Sequence, residues 1–181
     1  MSKNKTKQLV FSAMAIALAT VISVVIKLPS LPNGGSTTLF SMLIVCLIGY
    51  WYGPVTGLIG AFAYGILQFI TGPYVVHPAQ VLLDYPLAFA ALGLSGFFHN
   101  KKNGLITGFL VGAAGRFFFH MVSGLIFYTT YVDSFSGLSF TKLLIKGISH
   151  SLWIVPLYIG VNFIFFKSVF KNLIELWRNK A

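Results

Sequence analysis

Charge is what this chain has least of. Only 9% of its 181 residues are Asp, Glu, Lys or Arg, and the acids number three: Asp84, Asp133 and Glu175. A water-soluble domain carries roughly 25% charged residues, so this chain cannot clothe a surface that faces water. A soluble enzyme, a secreted disulfide scaffold and a disordered tail are excluded together. The single cysteine, Cys46, lies inside an apolar run and rules out an intrachain disulfide. There is no G-x-x-x-x-G-K-[ST], so no P-loop binds ATP, and neither H-E-x-x-H nor paired carboxylates, so metalloprotease chemistry has no residues to run on. No catalytic, metal or cofactor site is expected. No repeat at a period of roughly 20–50 residues is visible, and no pair of matching halves, which argues against a repeat-built secondary transporter. The first apolar run has no small-residue cleavage pattern behind it, so it reads as a span and not as a signal peptide.

What is present is hydrophobic: 56% of the residues. A bilayer core about 30 Å thick needs roughly 20 helical residues to cross it. Apolar runs and Gly/Pro punctuation predict an all-α membrane protein, a single integral membrane domain of six transmembrane helices. The spans fall at about 8–27, 39–51, 55–71, 79–98, 105–129 and 141–166, the second unusually short, with a basic amphipathic tail behind the sixth. Breaks come at Pro29–Gly35, Gly53-Pro54, Gly72-Pro73, His99–Gly104 and 130–139.

The net charge of +10 lies at the chain ends and in short loops. It forms none of the one-faced stripe that a nucleic-acid binder shows, so no nucleic-acid partner is expected. Six spans put both termini on one side. That side would hold Lys3, Lys5, Lys7, Lys101, Lys102, Lys167, Lys171, Arg178 and Lys180, against Lys27, Lys142 and Lys146 on the other. Nine against three places both termini in the cytoplasm by the positive-inside rule.

Ionisable groups at membrane depth are costly and are functional candidates by default. Asp84 would sit roughly 8 Å inside span four, counted from Ala79 at 1.5 Å per residue. Gln80 lies one turn before it on the same face. His120 on span five and His150 on span six reach a similar outer-half depth, roughly 12–14 Å in. Tyr74, Tyr85, Phe127, Tyr128, Tyr131 and Trp153 lie at nearby heights. An acid among aromatic rings suits an aromatic cation or a protonatable heterocycle. Two plainer readings stand beside this one: Asp84 as a structural ion-pair partner of Arg116, and the histidines as ordinary interhelical hydrogen-bonders. On span one, Ala13, Ala15, Ala17 and Ala19 recur at a spacing of four in two pairs, which lets another helix come close, in the bundle or in a partner chain.

Pro32-Asn33-Gly34-Gly35-Ser36, the block His77-Pro78-Ala79-Gln80-Val81-Leu82-Leu83-Asp84-Tyr85, and Gly115-Arg116 with His120, Ser123 and Gly124 together resemble one family over most of the chain. It is that of the thiamine-specific substrate-binding subunits, or S components, of energy-coupling factor (ECF) transporters. The resemblance implies the ECF S-component fold and a vitamin site near the outer surface. Its ligand set would be Asp84, Tyr85, His120, Gln80, His77, Tyr74, Gly35, Ser36, Ser123, Gly124, Phe127, Tyr128, His150 and Trp153. Asp84 would bond the aminopyrimidine, His120 would lie against the ligand rings, and the loop around Asn33–Ser36 would cover the site. The implied partners are thiamine or a related small cationic heterocycle, a transmembrane coupling subunit docked on the span-one alanines, two ATPase subunits and the lipid bilayer. The implied location is the plasma membrane of a prokaryote. Two departures are visible: Ser149 and His150 stand where the family carries a Tyr-Asn pair on span six, and the tryptophan expected in the outer loop after span five is missing, with Phe127, Tyr128 and Tyr131 the nearest aromatics. The alternatives are therefore an S component for a related ligand, such as the hydroxymethylpyrimidine half of thiamine, or a small self-sufficient transporter or channel.

Overall fold

The computed structural model describes residues 3–26 and 40–127, and every regular element in them is helical. We number the helices α1 (Lys3–Val25), α2 (Ser41–Tyr52), α3 (Pro54–Thr71), α4 (Pro78–Phe98) and α5 (Gly104–Phe127). All but α2 are long and apolar enough to cross a bilayer. The 12 residues of α2 extend only about 18 Å, short of the hydrocarbon thickness. The expected sixth span at 141–166 lies outside the described residues.

The bundle is apolar on its outside and polar at chosen points within. On α3, Val55, Ile59, Phe62, Ile66 and Ile70 recur every three or four residues and all are exposed. On α1, Met14, Leu18, Val21 and Val25 do the same. Such stripes would aggregate in water and are the natural face toward lipid. The buried polar side chains are Ser12, Ser23, Ser41, Gln80, Ser95 and Ser123 among the described residues. Gln68 donates to Ser23 Oγ at 2.7 Å and so ties α3 to α1.

Glycine sets how closely the helices approach. Gly53, at φ 86°, turns the chain between α2 and α3, and Pro54 opens α3 where no helical N–H partner is needed. A Cβ at Gly57 would lie 2.6 Å from Gly49 Cα, and one at Gly93 would lie 2.5 Å from Leu58 Cα. Backbone thus meets backbone where α2, α3 and α4 cross, the small-residue packing that replaces the hydrophobic effect inside a membrane. Beside this seam Ser95 Oγ donates to Cys46 O at 2.8 Å.

Helix α4 is irregular. A first α-turn (Pro78–Leu82) widens to a π-turn over Leu83–Leu87, and after Ala88–Ala90 the helix tightens to 3-10 over Ala91–Phe98. Pro86 explains the widening. It has no N–H to give to the Leu82 carbonyl, and its ring crowds that carbonyl. The ladder steps out by one residue, and the Ala88 N–H reaches back to Leu83 O.

The alanines of α1 do not share one face. Ala13 and Ala17 are exposed, Ala15 is half-buried, and Ala19 is fully buried in the core. The four-alanine docking face is corrected at Ala19, which packs inside this chain and has no surface left for a partner.

Candidate functional site

The π-turn carries the only acid among the described residues, Asp84. π-Bulges inside helices recur at functional sites. Here the widened turn is held against α3 by close packing: a Cβ at Gly65 would lie 2.6 Å from Tyr85 O and 3.1 Å from Pro86 Cα.

Both Asp84 oxygens are engaged. Oδ2 accepts from Gln80 Nε2 at 2.5 Å, and Oδ1 lies 3.0 Å from His120 Nδ1 on α5. The other His120 nitrogen, Nε2, accepts from Arg116 Nε at 3.2 Å. The Arg116 guanidinium sits 4.0 Å over the Phe89 ring and also donates to the Met42 sulfur. A polar chain therefore runs Gln80–Asp84–His120–Arg116 across α4 and α5, and His120 stands between the acid and the arginine. Charge-assisted bonds of this kind are roughly twice as strong as neutral ones. Asp84 and His120 keep 19% and 40% of their side-chain surface open, so they remain within reach of a solute. Gln80 is buried at 3%, with its oxygen accepting from the Val76 N–H at 3.1 Å. Its carboxamide thus orients Asp84 and pins the preceding loop.

The other expected residues fall around this chain. The Tyr85 hydroxyl donates to Gly72 O at 3.0 Å and accepts from the Tyr74 N–H at 2.9 Å, while its ring meets Phe69 edge-on at 5.3 Å. Tyr85 thereby ties the loop between α3 and α4 to the π-turn. His77 caps α4 by accepting from the Ala79 N–H at 3.1 Å, and its ring stacks on Phe127 at 5.1 Å and 18°. That stack joins the start of α4 to the end of α5. Ser123 is buried at 2%, and Gly124 lies one turn beyond His120. Gly35, Ser36, Tyr128, His150 and Trp153 lie outside the described residues.

Arg116, Met42 and Phe89 are the participants that sequence reasoning left out of the site. Arg116 had a signal, since it precedes His120 by four residues on one helix face. Met42 and Phe89 had none, because their contacts with Arg116 come from helix packing.

An apolar helical bundle with a charged hydrogen-bonded chain between two of its helices defines a class: a multi-pass membrane protein. The comparisons with known proteins give the particular family. The thiamine transporter protein (Thia_YuaJ) model matches residues 9–167, and this chain belongs to that family. The chain is 31% identical over 147 residues to the thiamine transporter ThiT of Bacillus subtilis, covering 71% of this chain and 76% of that one. It is 24% identical over 125 residues to the ThiT of Lacticaseibacillus paracasei, covering 60% and 62%. The solved structure of ThiT from Listeria monocytogenes shares the fold, with a TM-score of 0.73, 22% identity, and coverage of 96% of this chain and 98% of that one.

Proposed function

We propose that this chain is the thiamine-binding membrane subunit, the S component, of an ECF-type importer in a bacterial plasma membrane. The carrying observation is the open Asp84 carboxylate, set on a π-turn and backed by Gln80 and His120. A carboxylate with free lone pairs in a partly dry site accepts strongly from an aminopyrimidine amine, and the surrounding rings supply flat contact to a heterocycle. In this reading His120, Tyr85, Tyr74, His77, Ser123, Gly124 and Phe127 contribute to the site, and Gly35, Ser36, Tyr128, His150 and Trp153, outside the described residues, are assigned to it by the family resemblance alone. Membership of a thiamine transporter family supports thiamine over other cationic heterocycles.

In this reading the chain spans the membrane six times with both termini in the cytoplasm. It hydrolyses no ATP itself. A transmembrane coupling subunit docks on the exposed face of α1 at Ala13 and Ala17, beside Ala15, and two ATPase subunits supply the energy. Quenching of intrinsic tryptophan fluorescence by thiamine, thiamine phosphates and hydroxymethylpyrimidine tests the ligand on the isolated chain. Saturable quenching by thiamine with no uptake into liposomes by the chain alone is expected. Uptake by the chain alone would overturn the subunit reading, and tighter binding of hydroxymethylpyrimidine than of thiamine would overturn the ligand.

A further inference from the structure

We propose that Arg116 is a positioning residue. By donating to Nε2 of His120 it keeps that imidazole neutral, with its single proton on Nδ1 and given to Asp84. Asp84 then meets its cargo as an anion next to a neutral ring. The inference rests on the reading of Asp84 as the thiamine-facing acid.

A guanidinium only donates, so the His120 nitrogen 3.2 Å from Arg116 Nε must accept. A carboxylate only accepts, so the nitrogen 3.0 Å from Asp84 Oδ1 must donate. One protonation state of the ring satisfies both contacts: neutral, with the proton on Nδ1. The opposite tautomer fails both. An imidazolium would point an N–H at the Arg116 N–H and set two cations side by side. Arg116 is in turn held from two other helices, by the Phe89 ring of α4 and the Met42 sulfur of α2. A guanidinium fixed by cation–π attraction and a thioether is a steady hydrogen-bond donor.

Among the described residues, the charged groups facing His120 are Asp84 from α4 and Arg116 on its own helix. From α2 and α3, Cys46 and Tyr64 lie in the field of Arg116. The consequence concerns a cationic cargo. A histidine beside a carboxylate is normally free to charge in the physiological range, and an imidazolium here would cancel Asp84 and repel a thiazolium. Arg116 removes that competition, so affinity stays level where a bare histidine–acid pair would tilt.

Two measurements test this. In protein labelled with 15N-histidine, the His120 signal, assigned by its loss in His120→Gln, should report the Nδ1–H neutral tautomer at about pH 7. Thiamine titrations by tryptophan quenching should then be run on parent, Arg116→Gln and Arg116→Lys between about pH 6 and pH 8. The Arg116→Gln profile should tilt relative to the parent, with affinity about five- to tenfold weaker at the acid end, within the limit of about tenfold per pH unit for one linked proton. Arg116→Lys, which still only donates, should restore the level profile. A parent His120 signal showing the Nε2–H tautomer or the imidazolium would overturn the proposal. So would an Arg116→Gln protein that binds thiamine with the parent's pH profile. Should that variant fail to fold, the tautomer signal decides alone. A parent that shows the Nδ1–H tautomer and binds no thiamine would overturn the ligand assignment and leave the role of Arg116 toward His120 standing.

Discussion

The two halves of α4 are built on opposite plans. The first half is loosened by Pro86 into a π-turn and carries Gln80, Asp84 and Tyr85, whose polar groups all reach across to other elements or back to the loop. The second half is tightened to 3-10 geometry and carries Gly93 and Ser95, packed so closely that α2 and α3 touch it backbone to backbone. The comparison teaches that one helix can separate chemistry from cohesion along its own length. The widened ladder is confined to the turn that carries Asp84, and close backbone packing on α3 holds the helix both there, at Gly65, and at its other end, at Gly93. The seam adds to the Gly65 contact with the π-turn in keeping that turn in register with His120 on α5.

The largest effect should come from breaking the tight half. In Gly93→Leu a Cβ would meet Leu58 Cα at 2.5 Å, and backbone cannot yield as a side chain does. Overpacking costs about 1–3 kcal/mol even where side chains can shift, so loss of a monodisperse protein on size exclusion in detergent is expected. A folded Gly93→Leu protein with parental thermal stability would show that the seam is not what holds α4.

Next in size is the loose half. Asp84→Asn keeps the shape but removes the anion. Loss of a charge-assisted bond in a desolvated site costs roughly 2–4 kcal/mol, or about 30- to 1000-fold in affinity for thiamine. The amide still accepts from His120 Nδ1–H, so the melting temperature should fall by much less than in Gly93→Leu. Unchanged affinity on titration would remove Asp84 from the site.

A smaller change follows from Tyr85→Phe. It deletes the bonds to Gly72 O and from the Tyr74 N–H but keeps the ring against Phe69. At about 0.5–1.5 kcal/mol for a typical bond, affinity should weaken by about two- to tenfold, with faster hydrogen exchange at the Tyr74 amide. An unchanged exchange rate there would show that the loop does not hang on this hydroxyl.

The smallest effect on the isolated chain is expected on α1. Ala17→Trp adds bulk on an exposed face and should leave thiamine affinity within about twofold of the parent, while uptake with the full importer is lost because close helix contact admits only small residues. Ala19→Trp, placed in the fully buried core, should destabilise the protein itself. Equal behaviour of the two variants would erase the distinction between the outer and inner faces of α1.

Much of the site was legible from local spacing. Gln80 and Asp84 share a helix face by their separation of four, and the structure bonds them. The shared depth of Asp84 and His120 could be counted from helix ends, and the structure brings them to 3.0 Å. Outside the family motif, Arg116 entered the sequence reading only through the plainer alternative, a direct structural ion pair with Asp84. The structure interposes His120 instead, because residues four apart on α5 meet first. The alanine pairs of α1 looked alike in sequence, and only packing buried Ala19 while leaving Ala13 and Ala17 exposed.

The sequence by itself determined that this is a helical membrane protein, since hydropathy and the scarcity of charge act residue by residue and need no partner to be felt. It also determined which few polar groups would be costly to bury and therefore had to converge on something. The tertiary structure decided what they converge on. The rotation of α4 past its π-turn and the glycine-set distance between helices fix which side chains from remote positions meet. Neither is a local property, because a one-residue step in the helix ladder turns every later side chain by about 100°.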